Sequence, residues 1–156
     1  MYHSETYGDM SLAQVKEHIS SFMKLNKNNR YQVIIGTDSQ KKSGGTTDFV
    51  TAIIVHRMGH GGIYFWKRMV DDKKRVLKQR ILEEASMSLA TAQELLGMFK
   101  ANGVREFDFV IHVDVGTQGP TRELITEVVS MIRGSGFQVK TKPDSYGASK
   151  VADRHT

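Results

Sequence analysis

The sequence has no cysteine, which excludes disulfides and thiolate–zinc sites and fits a reducing compartment. It has only two prolines, and no Ser-, Gly- or Gln-rich tract marks a linker or a disordered region. Long apolar runs are missing as well. The longest, such as 52–55 and 63–66, fall far short of the roughly 20 residues that a helical membrane span needs. Residues 1–9 carry Glu5 and Asp9 and lack the basic-then-apolar layout of a signal peptide, so the expected location is cytoplasmic, with no membrane partner. The six histidines form no helical zinc motif.

What is present suits one globular domain. A chain of 156 residues can bury a proper core, and 39% hydrophobic with 25% charged residues is ordinary for such a domain. The net charge of +5 raises the local concentration of polyanions and leans toward nucleic acid as partner.

Periodicity places the elements. Ser11 and Gln14 have capping-box spacing, and Leu12, Val15, Ile19, Phe22 and Met23 then recur at helical intervals up to about Leu25. Residues 31–36, 49–55 and 63–70 read as three strands joined by short polar or Gly-containing turns, hence an antiparallel meander. A long helix follows over 72–100, its buried side marked by Leu77, Ile81, Ala85, Leu89, Ala92, Leu95, Leu96 and Phe99. Residues 107–113 form a strand, and a helix opens near Pro120 with Leu124, Ile125, Val128, Val129 and Ile132 on one face. A strand at 137–142 and a terminal helical segment at 148–155 complete the chain. The fold class is therefore α/β: a mixed five-stranded sheet in the order β-β-β-α-β-α-β-α, flanked by helices. It forms one domain over 1–156, with residues 1–30 as an added N-terminal helical extension.

Four carboxylates stand out on this frame. Asp38 and Asp114 each follow an apolar strand, and the two strands are natural central neighbours, so both acids are expected at adjacent strand ends. A turn or capping aspartate is the plainer reading of either one alone. Glu84 shares the stripe of Leu77, Ile81, Ser88, Ala92, Leu95 and Phe99, whereas Glu83 points more toward solvent. A carboxylate facing a sheet must be neutralised, paired or metal-bound, and Arg80 or Lys78 offers an ordinary ion pair. Asp153 lies in the terminal helix and would be unremarkable in isolation. Crowded together, such acids repel, and Mg²⁺ or Mn²⁺ relieves that repulsion because hard cations take oxygen ligands. Two such ions about 3.5–4 Å apart can activate a water and stabilise the leaving oxygen in phosphodiester cleavage.

Strand order and acid positions together resemble the ribonuclease H-like superfamily. Asp38 in Gly-Thr-Asp-Ser, Glu84, Asp114 in His-Val-Asp and Asp153 in Val-Ala-Asp match its four acidic positions. The resemblance runs from about Tyr31 to Thr156. Within it, the wording at 36–40, 112–119 and 146–156 is similar to that of the bacterial YkuK family, a predicted nuclease group. The resemblance implies metal ligation by Asp38, Glu84, Asp114 and Asp153, with Mg²⁺ or Mn²⁺ as cofactor. His155 lies two residues beyond Asp153, so either is a candidate for the last ligand or the acid–base group. His112 shares strand parity with Asp114 and is placed to line the same pocket, although such a histidine is more often simply packed.

The leading expectation is a metal-dependent nuclease acting on RNA, DNA or a hybrid, with Asp38, Glu84, Asp114, Asp153 and His155 as catalytic candidates. Lys41, Lys42, Lys140, Lys142 and Lys150 are placed to grip phosphates, or are ordinary solvated lysines. Tyr64, Phe65 and Trp66 offer base stacking, although alternating strand residues more often form core. The alternative is a non-catalytic nucleic-acid-binding domain of the same fold. A homodimer is a further possibility, by analogy with resolvase-like members. An actin-like ATPase reading of 114–117 ranks last, because a helix follows where those enzymes place a strand.

Overall fold

A computed structural model describes residues 1–26, 28–101, 107–116, 119, 122–142, 144 and 155. The strands are β1 (Tyr2–Ser4), β2 (Gly8–Met10), β3 (Tyr31–Lys41), β4 (Thr47–Arg57), β5 (Gly62–Asp71), β6 (Asp108–His112) and β7 (Gln138–Lys140). The helices are α1 (Leu12–Lys24), α2 (Leu77–Ala101) and α3 (Ile125–Gly134), the last preceded by a 3₁₀ turn at Arg122–Leu124. The terminal helix expected at 148–155 lies outside the described residues except for His155. No described helix is long and apolar enough to cross a membrane.

All seven strands form one sheet in the order β2-β1-β5-β4-β3-β6-β7. The meander β3-β4-β5 is antiparallel, while β6 and β7 run parallel to β3, so the sheet is mixed as its connections require. Five of these strands answer to the expected five. The other two correct the reading of 1–30 as purely helical: β1 and β2 form a hairpin whose His3 pairs with Trp66 on the outer edge of β5. Three-residue strands are too short to show a period of two. Their tight turn relies on Gly8 at φ +77°, together with the Ser4 hydroxyl, which accepts from the backbone N–H of Thr6 and Tyr7.

α1 starts as its spacing predicts. The Gln14 backbone N–H donates to the Ser11 hydroxyl, and the Ser11 N–H donates back to the Gln14 side chain at 2.9 Å. α2 begins at Leu77 rather than near Asp72, and Leu77 is 36% exposed, so the first member of its expected stripe lies outside the core. Ile81, Ala85, Ala92, Leu95 and Phe99 are buried as the period requires.

The alternation of side chains across the strands separates two faces. Val33, Ile35, Ile53, Val55, Phe65, Ile111 and Val113 point to the helices and join Val15, Ile19, Leu95, Val128 and Ile132 in the main core. The other face carries a small cluster of Val50 and Ala52 with Trp66.

Polar groups also enter the helix-side layer. The Thr37 hydroxyl bonds those of Thr51 (2.9 Å) and Ser88 (2.8 Å), all three residues being buried. These bonds clamp α2 to β3 and β4. Thr37→Val keeps the shape but leaves two hydroxyls short of a partner. It is expected to cost about 1–3 kcal/mol, read as a lower urea midpoint at unchanged slope. An unmoved midpoint would mean that the clamp contributes nothing to stability.

Candidate active site

Asp38 and Asp114 lie beyond the same end of one parallel pairing. β3 and β6 pair in parallel from Gln32↔Asp108 to Gly36↔His112, which ends two residues short of Asp38 and of Asp114, and the charges of both aspartates act on Glu84. Asp38 does not follow its strand, as the sequence suggested, but sits inside it. β3 runs on to Lys41 because β4 keeps pairing with it as far as Lys41↔Thr47. The open end is created instead by β6, which stops at His112, so that among the described residues no strand pairs with the last part of β3 on that side.

Glu84 approaches from α2. It is 7% exposed, whereas Glu83 is only partly buried and borders a surface depression with Lys73, Lys74 and Arg75, so Glu84 is the inward carboxylate. The Ser39 hydroxyl donates to Glu84 Oε2. Asp38 and Ser39 are consecutive strand residues and therefore leave the sheet on opposite faces. Glu84 thus meets the site from the helix side and Asp38 from the other.

Burial raises the Glu84 pKa most, and the charges of Asp38 and Asp114 raise it further. The Ser39 hydrogen bond and the charge of Arg80 oppose this, and the result is a carboxyl pushed up to about 8. Of the two ordinary cationic partners that the sequence offers, Arg80 acts on Glu84, as the smallest of these influences. A narrow pocket beside it is lined by Thr37, Glu84, His112, Val113 and Asp114, so His112 and Asp114 do border one cavity.

The remaining candidates divide. Asp153 and Lys150 lie outside the described residues. The His155 ring stacks on Trp66, with centroids 4.2 Å apart and planes 10° apart, and its backbone carbonyl accepts from Arg68. Trp66 belongs to β5, two strands from β3 in the sheet. Phe65 is fully buried on the helix side, while Tyr64 and Trp66 face the opposite way beneath His155. Lys41 and Lys140 are exposed, and Lys42 bonds Gln40. Lys142 Nζ lies 3.0 Å from Asp114 Oδ1.

One acid escaped the sequence reading. Asp48 is 7% exposed, pairs across from Gln40 on the face that bears Asp38, and lies 3.9 Å from Lys42 and 3.8 Å from Arg68. The apolar run begins only at Phe49, whereas β4 pairs with β3 from Thr47 onward. The only signal was the even spacing from Asp48 through Val50 and Ala52.

The donor set consists of hard carboxylate oxygens, and the burial of Glu84 together with the repulsion from Asp38 and Asp114 disfavours its charge in the way a divalent cation relieves, so the chemistry fits such an ion. Among the described residues, however, no three His, Asp or Glu side chains close into a group able to hold a metal. Glu84 is engaged by Ser39, and Asp114 by Lys142.

Two comparisons bear on this arrangement. A family model described as Ribonuclease H-like matches residues 14–156. The chain is 32% identical over 168 aligned residues to "Uncharacterized protein YkuK" of Bacillus subtilis (strain 168), an alignment covering 100% of this chain and 96% of that protein. No solved structure gives a significant match.

Proposed function

The chain belongs to the ribonuclease H-like family, and from that premise we propose that it is a divalent-metal-dependent nuclease hydrolysing phosphodiester bonds of RNA or DNA. The observation that carries this reading is Glu84: a buried carboxyl raised to about 8 by desolvation and by two neighbouring aspartates. The opposing charge of Arg80 is the smallest of the influences on it, so burial and the two aspartates prevail.

Asp38, Glu84 and Asp114 would hold the cation, with Asp153 as the fourth ligand implied by the family pattern. When bound, Mg²⁺ or Mn²⁺ supplies Lewis acidity toward a phosphoryl oxygen and lowers the pKa of water. In the overall reaction water adds to phosphorus, one P–O ester bond breaks, and the leaving oxygen takes up a proton. Ser39 orients the Glu84 carboxylate for this work, and the net charge of +5 gathers the polyanion.

The absence of a closed three-residue metal group among the described residues favours a second reading, a nucleic-acid-binding domain without turnover. Incubation with labelled RNA, DNA, hybrid and branched substrates, with Mn²⁺ or with EDTA, separates the two. Cleavage that needs Mn²⁺ supports the nuclease and identifies its substrate. Binding without cleavage, with no Mn²⁺-dependent rise in melting temperature, supports the second reading.

A further inference from the structure

The loop after β7 places a cation on Asp114 by construction. Pairing between the β6 and β7 segments continues past both strands, with Val113 N–H donating to the Lys140 carbonyl (3.0 Å) and Lys142 N–H to the Val115 carbonyl (2.8 Å). These bonds fix the Lys142 backbone beside Val115, one residue beyond Asp114. The side-chain stem then lies along Gly116, so closely that a Cβ added there would stand 3.1 Å from Lys142 Cβ and 3.5 Å from Cδ. Glycine leaves the room for this approach. The stem ends with Nζ 3.0 Å from Asp114 Oδ1.

As a source of stability this pair counts for little. The Lys142 side chain is 55% exposed and that of Asp114 33%, and exposed pairs contribute about 0–1 kcal/mol. Its position matters more. The ammonium occupies the carboxylate that the reading above assigns to a divalent cation, and its exposed end faces the solvent from which a phosphodiester arrives.

Resting on that reading, we propose that Lys142 is an internal counter-ion of Asp114 which a divalent cation must displace and which a nucleic-acid phosphate draws away, so that metal and nucleic acid bind cooperatively. Without nucleic acid, the ammonium competes with the cation for the same oxygen. With a phosphate nearby, the ammonium transfers to the phosphate, and the carboxylate is released to the metal. Linkage makes the effect reciprocal: bound metal frees Lys142 for phosphate and tightens nucleic-acid binding by the same factor. Lys42 is not equivalent, because it is engaged by Gln40 and lies beside Asp48.

The test is Mn²⁺ affinity, read from the free-ion EPR signal at fixed pH and low salt, for the wild type, Lys142→Met and Lys142→Arg. Lys142→Met should bind Mn²⁺ about 3–5-fold more tightly than wild type. Lys142→Arg, which keeps the charge, should stay within about twofold of it. Adding a phosphorothioate-linked 12-mer, which is cleaved slowly, should tighten Mn²⁺ binding to the wild type but not to Lys142→Met. Melting without metal checks that each variant is folded. Equal or weaker Mn²⁺ binding by folded Lys142→Met overturns the proposal while leaving the metal site standing. No Mn²⁺ binding by any of the chains overturns the metal site and the coupling together.

Discussion

Glu84→Gln is expected to raise the melting temperature of the metal-free protein at pH 9 by about 5–10 °C, and to leave it nearly unchanged at pH 5. The folded protein holds the Glu84 proton up to about pH 8, whereas the ordinary value for an unfolded chain is 4.5. The stability this proton supports is therefore full below about 4.5, falls as pH rises between the two values, and is lost above about 8. Burial is the main cause, and Asp38 and Asp114 add to it. Over the whole window the change is on the order of 3–5 kcal/mol, which at about 2–4 °C per kcal/mol in a domain of this size corresponds to a shift of about 6–20 °C, its lower part being the expected result. Glutamine keeps an oxygen that can accept from Ser39 and carries no charge to desolvate, so its stability should be flat across the window. Thermal melts of both proteins at intervals from pH 4 to 10 measure the difference. Parallel curves would show that Glu84 is not the titrating group.

The same proton opposes the cation. A cation bound at Glu84 must expel it, so Mn²⁺ affinity should increase about tenfold per pH unit below about 8 and level off above. Glu84→Gln gains stability and loses this affinity. A variant that is more stable yet inactive is the expected signature of a carboxylate held in place for chemistry rather than for packing.

Asp38→Asn is expected to lower Mn²⁺-dependent cleavage by at least about 100-fold, since even groups that only support a ligand contribute 10–100-fold. The substitution preserves shape within the ladder opposite Val50, so melting without metal should stay close to wild type. It also removes one of the two negative charges that raise Glu84, which works toward stability at high pH. Glu83→Gln is the matched control, because Glu83 borders the outer depression with Lys73 and Lys74 and should retain wild-type rates within about twofold. Initial rates on the best substrate of the panel, at saturating Mn²⁺, decide between outcomes. If Asp38→Asn cleaves at the wild-type rate, the strand acids are not the site. If Glu83→Gln loses activity as well, α2 presents a different face from the one described.

Much of this arrangement is legible along the chain. The apolar runs at 31–36 and 49–55 mark buried strands, and a period near 3.6 sets Glu84 on the stripe of Ile81 and Ala85 while turning Glu83 outward. The capping box at Ser11 is equally local. The β1-β2 hairpin is not legible in this way, because three residues carry no measurable period and its pairing partner is Trp66, far along the chain. Asp48 escaped for a related reason, since its burial follows from a ladder that extends past the apolar residues.

Periodicity and residue type alone thus establish the α/β class, the inward helix face, and the list of acids from which a site could be built. Only the folded arrangement decides that β3 runs on past Asp38 while β6 stops at His112, that Lys142 rests on Asp114, and that the His155 ring stacks on Trp66. The reason is physical. Side-chain direction repeats along a helix or strand and is written locally, but desolvation and repulsion act through space, between carboxylates that the sheet brings together from distant parts of the sequence.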